Sequence, residues 1–152
     1  MGYTHYWKFK KNPKEITDGE KKFKSAVRLF KKKLSVLTSK HNIRLGDGLG
    51  HNEPVIDGSI VLFNGFADGK TDESYETFCI KFDDPDYEFN FCKTAYRPYD
   101  PAVCLALLCF KHVFKNDFQF SSDGITEGSS MDEGWRIAHD IFDCTYIDKC
   151  HK

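Results

Sequence analysis

No apolar run in this chain can cross a bilayer: the longest, Val103 to Phe110, is far short of the ~20 residues a membrane span requires. The opening Met1-Gly2-Tyr3-Thr4-His5-Tyr6-Trp7-Lys8 also lacks the basic start and apolar stretch of a secretory signal. A soluble, cytoplasmic protein without membrane association is expected. Gly2 does not make a myristoylation motif, because Tyr6 stands where that motif wants Ser or Thr. There is no Cys-x-x-Cys pair among Cys79, Cys92, Cys104, Cys109, Cys144 and Cys150, so buried reduced thiols are expected and no metal site or cofactor. Cys144, Cys150 and His151 are the nearest approach to a metal cluster, with a spacing that matches no zinc template. No repeat, low-complexity tract or linker divides the 152 residues, which suit one domain.

Net charge is nearly absent as well, 22 Lys and Arg against 23 Asp and Glu. That balance is a cancellation. Residues 1–47 hold 13 basic against 4 acidic residues, and residues 48–152 hold 9 against 19. A bipolar molecule of this kind orients on charged surfaces or pairs head to tail, so an oligomer stays open.

What is present reads as alternating elements. In residues 3 to 10, Tyr3, His5, Trp7 and Phe9 point one way and Thr4, Tyr6, Lys8 and Lys10 the other, the period of a half-buried strand. Thr17-Asp18-Gly19-Glu20 has the form of a capping box. It precedes apolar residues at Phe23, Val27, Phe30, Leu34 and Leu37, which define one face of a helix from about 18 to 40. The opposite face is basic, with Lys21, Lys22, Lys24, Arg28, Lys31, Lys32 and Lys33. Gly46, Gly48 and Gly50 mark a loop that either approaches a ligand or simply turns. Strands are expected at 59–63, 75–82 and 87–91. The three read as a meander, the last two flanking the turn Asp83-Asp84-Pro85-Asp86, with Phe78, Ile80, Phe82, Tyr87, Phe89 and Phe91 on one face. Asp100-Pro101 reads as an N-cap and first helical residue before an apolar, interior helix. A short strand at 117–121 follows, and Ser130-Met131-Asp132-Glu133 reads as a capping box before a last helix through Trp135, Ala138, Ile141 and Phe142. The order is β, α, three or four β, α, β, α. This implies a single α+β domain over 1–152, a mainly antiparallel sheet of four or five strands covered by three helices. If the strands at 87–92 and 117–121 are neighbours, the helix between them makes a parallel β-α-β crossover.

That crossover would bring Lys93, Thr94 and Arg97 to the same sheet edge as Ser122 and Asp123. With Tyr99 these form the candidate ligand site. Lys93 and Arg97 suit a phosphate, Asp123 a sugar hydroxyl or base edge, and Tyr96, Tyr99 or Trp135 could stack on a base. The same charges would equally serve as solvated loop cations paired with Asp100 or Asp123. Lys24, Arg28, Lys31 and Lys32 form a candidate partner-binding face for a host protein or a nucleic acid, although no recognition-helix or single-strand-binding motif accompanies it. His5 is a candidate base that more simply reads as half-buried. Cys92 beside Lys93 is a candidate activated thiol, and a phosphoester hydrolase would use Asp123 or His5.

Thr4-His5-Tyr6-Trp7, Phe91-Cys92-Lys93-Thr94-Ala95 with Pro98-Tyr99-Asp100, and Ser122-Asp123-Gly124 followed by Trp135 together resemble a family of small uncharacterised proteins of bacterial and archaeal viruses. The resemblance implies life in the cytoplasm of an infected host and an accessory, anti-defence role; it carries over no catalytic residue. Three functions stand on this reading. The first is a protein that binds a nucleotide-like or phosphorylated ligand, the second an inhibitor docking on a host enzyme or nucleic-acid complex through the basic helix, and the third the hydrolase.

Overall fold

The computed structural model describes residues 3–125 and 132–143. The described residues form an α+β domain with three α-helices, and their strands form two antiparallel sheets. The central strand of the first sheet is β1 (Thr4–Phe9), whose alternation buries His5, Trp7 and Phe9 and turns Lys8 to solvent. It is flanked on one side by β6 (Asn90–Lys93) and on the other by β7 (Phe118–Ser122), in the order β6-β1-β7. Each flanking strand is antiparallel to β1, so they run parallel to each other, connected by α2 (Asp100–Phe114). The crossover expected from the sequence therefore exists, with β1 inserted between its strands. The second sheet is built on β4 (Ile60–Gly65), which pairs with β2 (Leu45–Gly46), β3 (Val55–Asp57) and β5 (Phe78–Lys81).

Helix α2 is buried from Asp100 through Phe110 because it is apolar on every side, as an interior helix must be. It packs against α1 (Gly19–His41), α3 (Glu133–Phe142) and β7. Aromatic rings tie the two sheets together. Trp7 lies 4.9 Å from Phe78, Phe78 lies 5.1 Å from Phe63, and Phe63 lies 5.8 Å from Phe30 on α1. Each such ring, once buried, contributes roughly 1.5–3 kcal/mol over an exposed one.

Three local expectations are corrected. At the start of α1, Asp18 adopts a left-handed conformation (φ 58°) and makes no side-chain cap bond, so the Thr17–Glu20 capping box does not form. At α2, Tyr99 is the N-cap and Asp100 lies inside the first turn, because its carboxylate is turned toward His5 and Thr94. The meander forms only in its first step, where β4 and β5 pair antiparallel, and breaks before the third strand. The segment after Phe82 passes through a turn, and β6 begins only at Asn90, pairing with β1 while β5 pairs with β4. The shift puts Cys92 inward and leaves Phe89 and Phe91 63% and 54% exposed. The glycine loop resolves as a turn. Gly50 (φ 82°) sits where a Cβ would lie 2.5 Å from the Gly65 carbonyl oxygen. Ser130 of the second capping box, and Cys144, Cys150 and His151, lie outside the described residues.

The register of β6 can be checked by urea denaturation. Phe91→Ala should change the unfolding free energy by less than about 0.5 kcal/mol, whereas Phe78→Ala should lower it by about 3–5 kcal/mol. Equal, large losses would put Phe91 in the core and contradict the assignment.

Candidate functional site

The three short motifs meet at one end of the first sheet. Residue His5 pairs with Cys92 on β6 and with Ser122 on β7, so the C-terminal ends of both flanking strands sit beside the start of β1. Beyond β6, Ala95 and Tyr96 take consecutive left-handed conformations (φ 50° and 62°), a costly turn for residues with a Cβ. The turn is held by the Tyr3 carbonyl, which accepts from the Thr94 and Ala95 amides, and by Tyr96 stacking on Tyr3 at 3.9 Å. It delivers Asp100 under the sheet, in the first turn of α2, where the helix dipole favours a negative charge.

There His5, fully buried, is bonded at both ring nitrogens: Nδ1 is 2.7 Å from Ser122 Oγ and Nε2 is 2.6 Å from Asp100 Oδ1. The Thr94 hydroxyl donates to the same Asp100 oxygen at 2.5 Å. Ser122 Oγ also accepts from the Gly124 amide and from Trp135 Nε1, each at 2.9 Å. A hydroxyl has one proton and two acceptor positions. Both acceptor positions of Ser122 are taken, so its proton goes to His5 Nδ1, and Nε2–H donates to Asp100. The order Ser122, His5, Asp100 looks like a nucleophile, base and orienting acid, but the serine oxygen is fully coordinated and has no lone pair for attack.

Metal binding fails a similar test. His5, Asp100 and Cys104 place one donor each within 4.8 Å of one another. Tetrahedral ligands at about 2.0–2.1 Å from zinc stand roughly 3.3 Å apart, wider than the 2.6 Å between His5 and Asp100. Burial, with the Asp100 carboxylate next, also pushes the Cys104 thiol well up. The cluster is a polar joint between sheet and helices. Helix α3 closes it, since a Cβ on Gly134 would lie 2.0 Å from Asp100 Oδ2.

The residues expected to bind a ligand divide accordingly. Thr94 and Ser122 belong to the joint. Tyr99 is buried and donates to the Glu76 carbonyl at 2.6 Å. The Asp123 carboxylate accepts from the Thr4 amide at 3.1 Å. Trp135 is buried as well, and Tyr96, though 67% exposed, has one face stacked on Tyr3. Cys92 is buried and pushed up to about 12 by burial, which removes it as an activated thiol despite Lys93.

Lys93 and Arg97 remain at the surface. Neither charged group is in an ion pair among the described residues: Asp100 is taken by His5 and Asp123 by Thr4, while the Glu76 carboxylate accepts from the Lys93 amide at 2.6 Å and Asp72 lies near enough to Arg97 for its carboxyl to be lowered by that charge. Both instead face the Tyr75 ring, with Lys93 Nζ 5.9 Å and Arg97 Cζ 5.7 Å from its centre. Tyr75 is 45% exposed. Arg97 also borders a cavity of about 550 Å³ at the starts of α2 and α3, together with His41, Asp132 and Glu133. In the sequence Tyr75 is only the first residue of the expected strand 75–82, and no periodicity links it to residues 93–97. On α1, Lys24 pairs with Glu20 at 3.3 Å, Arg28 donates to Ser25, and Lys31 borders a shallow groove. Lys33 turns away from the basic face and donates to the Phe142 carbonyl.

Comparison with protein-family models, curated proteins and solved structures finds no match. No described helix is long and apolar enough to cross a membrane.

Two outcomes check this geometry. Ser122→Ala leaves Trp135 Nε1–H and His5 Nδ1 without a partner and should cost about 2–4 kcal/mol in chemical denaturation; a loss below about 0.5 kcal/mol would contradict the joint. A raised thiol pKa means less thiolate at any given pH. Iodoacetamide at pH 8 should therefore leave Cys92, Cys104 and Cys109 unlabelled in the folded protein and label them in urea, as read by peptide mass spectrometry.

Proposed function

We propose that the protein binds a nucleotide-like, phosphate-bearing ligand through Lys93 and Arg97, with the ligand's base on Tyr75. The observation that carries this is the placement of two cations, neither in an ion pair among the described residues, beside one exposed aromatic ring. A guanidinium forks onto phosphate oxygens, an ammonium adds a point charge, and an exposed ring offers a base its face. In this reading Thr94, Tyr99, Ser122 and Asp123 act from behind, by fixing the turn that carries Arg97 and the strand end that carries Lys93. With the resemblance to small viral proteins, sequestration of such a ligand in an infected cell is the role that fits.

A second reading, docking of a protein partner on α1, is supported by the groove of about 350 Å³ in which Lys31 stands beside Leu34, Ile43 and Ile56. Capture of a defined partner that is lost in Lys31→Glu/Lys32→Glu would establish it. Catalysis at His5 is not proposed, since the ring is fully buried and both its nitrogens are engaged.

Calorimetric titration with nucleoside mono-, di- and triphosphates tests the first reading. Arg97→Ala and Lys93→Ala should each weaken binding about tenfold, as the loss of a charge-assisted bond does, with unchanged thermal stability. Absence of binding by every nucleotide, or binding indifferent to both substitutions, would overturn it.

A further inference from the structure

The Lys93, Tyr75, Arg97 cluster continues into an unusual surface. On the outer face of the first sheet, Thr4, Tyr6 and Lys8 of β1 stand next to Phe91 and Lys93 of β6 and to Gln119 and Ser121 of β7, as the strand registers require. Phe89 adjoins this face, 6.5 Å from Tyr6 and 5.7 Å from Phe91 between ring centres. Tyr6, Lys8, Phe89, Gln119 and Ser121 border a broad depression of about 760 Å³. Large rings on a sheet surface ordinarily face the core, yet Phe89 and Phe91 are 63% and 54% exposed, while the inward neighbour Cys92 is wholly buried. On this face aromatic rings stand beside Lys8 and Lys93, and Tyr75 links Lys93 to Arg97; none of the three cations is in an ion pair among the described residues.

We propose that this face binds single-stranded nucleic acid, so that the ligand of the Lys93, Tyr75, Arg97 site is a strand and not a free nucleotide; the proposal rests on the nucleotide-binding reading above. The rings supply sequence-tolerant stacking for successive bases, and the cations supply contacts for the backbone between them. Ring spacing favours an open strand. Stacked bases follow one another at about 3.4 Å along a strand, whereas these ring centres are 5.7 and 6.5 Å apart. Bases must therefore be splayed to use them, which a duplex does not allow. Asp86 and Glu88 border Phe89 and repel phosphate there, so that end of the strip takes bases while the phosphates lie toward Lys93 and Arg97.

The test is fluorescence anisotropy with oligo(dT) and oligo(U) from mononucleotide to octanucleotide, at several salt concentrations. Affinity should rise at least tenfold between the mononucleotide and the tetranucleotide. It should fall with salt at a log–log slope of about 2, as expected for three cations on a single strand. Phe89→Ala and Phe91→Ala, whose exposed rings leave the thermal midpoint unchanged, should each weaken the octanucleotide roughly tenfold, and a duplex of equal length should bind more weakly. Equal affinity for mononucleotide and octanucleotide would overturn the strand proposal and leave the nucleotide reading standing. Failure of every length to bind would overturn both. Octanucleotide binding indifferent to the ring substitutions, or their loss abolishing self-association instead, would remove the sheet face as the site.

Discussion

The hydrogen bond between His5 and Asp100, at the junction of β1 with the first turn of α2, is the constraint on which the rest of the structure depends. A carboxylate and an imidazole taken out of water need partners for all their polar atoms, and burial without them costs several kcal/mol. Thr94, at β6's exit, and Ser122, on β7, supply those partners, and Ser122 is held in turn by the Gly124 amide and by Trp135 of α3. Satisfying one buried pair therefore specifies how strands and helices that are far apart in sequence must meet. Tyr3 shows how closed the joint is: its hydroxyl is buried without a partner among the described residues, and burial pushes its pKa up.

This joint has a consequence for the outer surface. Anchoring His5 inward fixes the register of β1, and through the pairing Tyr6 with Phe91 and Thr4 with Lys93 it fixes which residues of β6 face water. A one-residue slip would bury Phe91 and expel Cys92. The buried network and the exposed aromatic strip are thus two faces of one sheet. The residues that resemble catalytic groups lie on the face that water does not reach, and those fit to meet a ligand lie on the other.

Much of this was legible in the sequence, and the failures have physical causes. The alternation of Tyr3 through Lys10 identifies β1 and its inward face, and the unbroken apolar run 103–110 identifies α2 as interior. The meeting of residues 93–100 with 122–123 followed from the crossover. Its use did not, because a threonine, a serine and an aspartate beside cations look the same whether they bind a ligand or one another. His5 lies on the expected strand face but is fully buried where a half-buried ring is expected, and its partners stand 95 and 117 positions away with no local pattern to announce them. Apolar alternation puts Phe89 and Phe91 on one face with Phe78 and Ile80; the pairing of β6 with β1, a long-range choice, separates them, so that Phe78 and Ile80 are buried and Phe89 and Phe91 exposed.

The account is tested most directly by the imidazole nitrogen resonances of His5, recorded by long-range proton–nitrogen correlation with and without added oligonucleotide. Nε2 should carry the proton, Nδ1 should be a bare acceptor, and both should stay unmoved by a ligand that shifts the resonances of Tyr6, Phe89 and Phe91. A proton on Nδ1, or a His5 ring that responds to ligand while the outer face stays silent, would contradict it and return the binding site to the buried cluster.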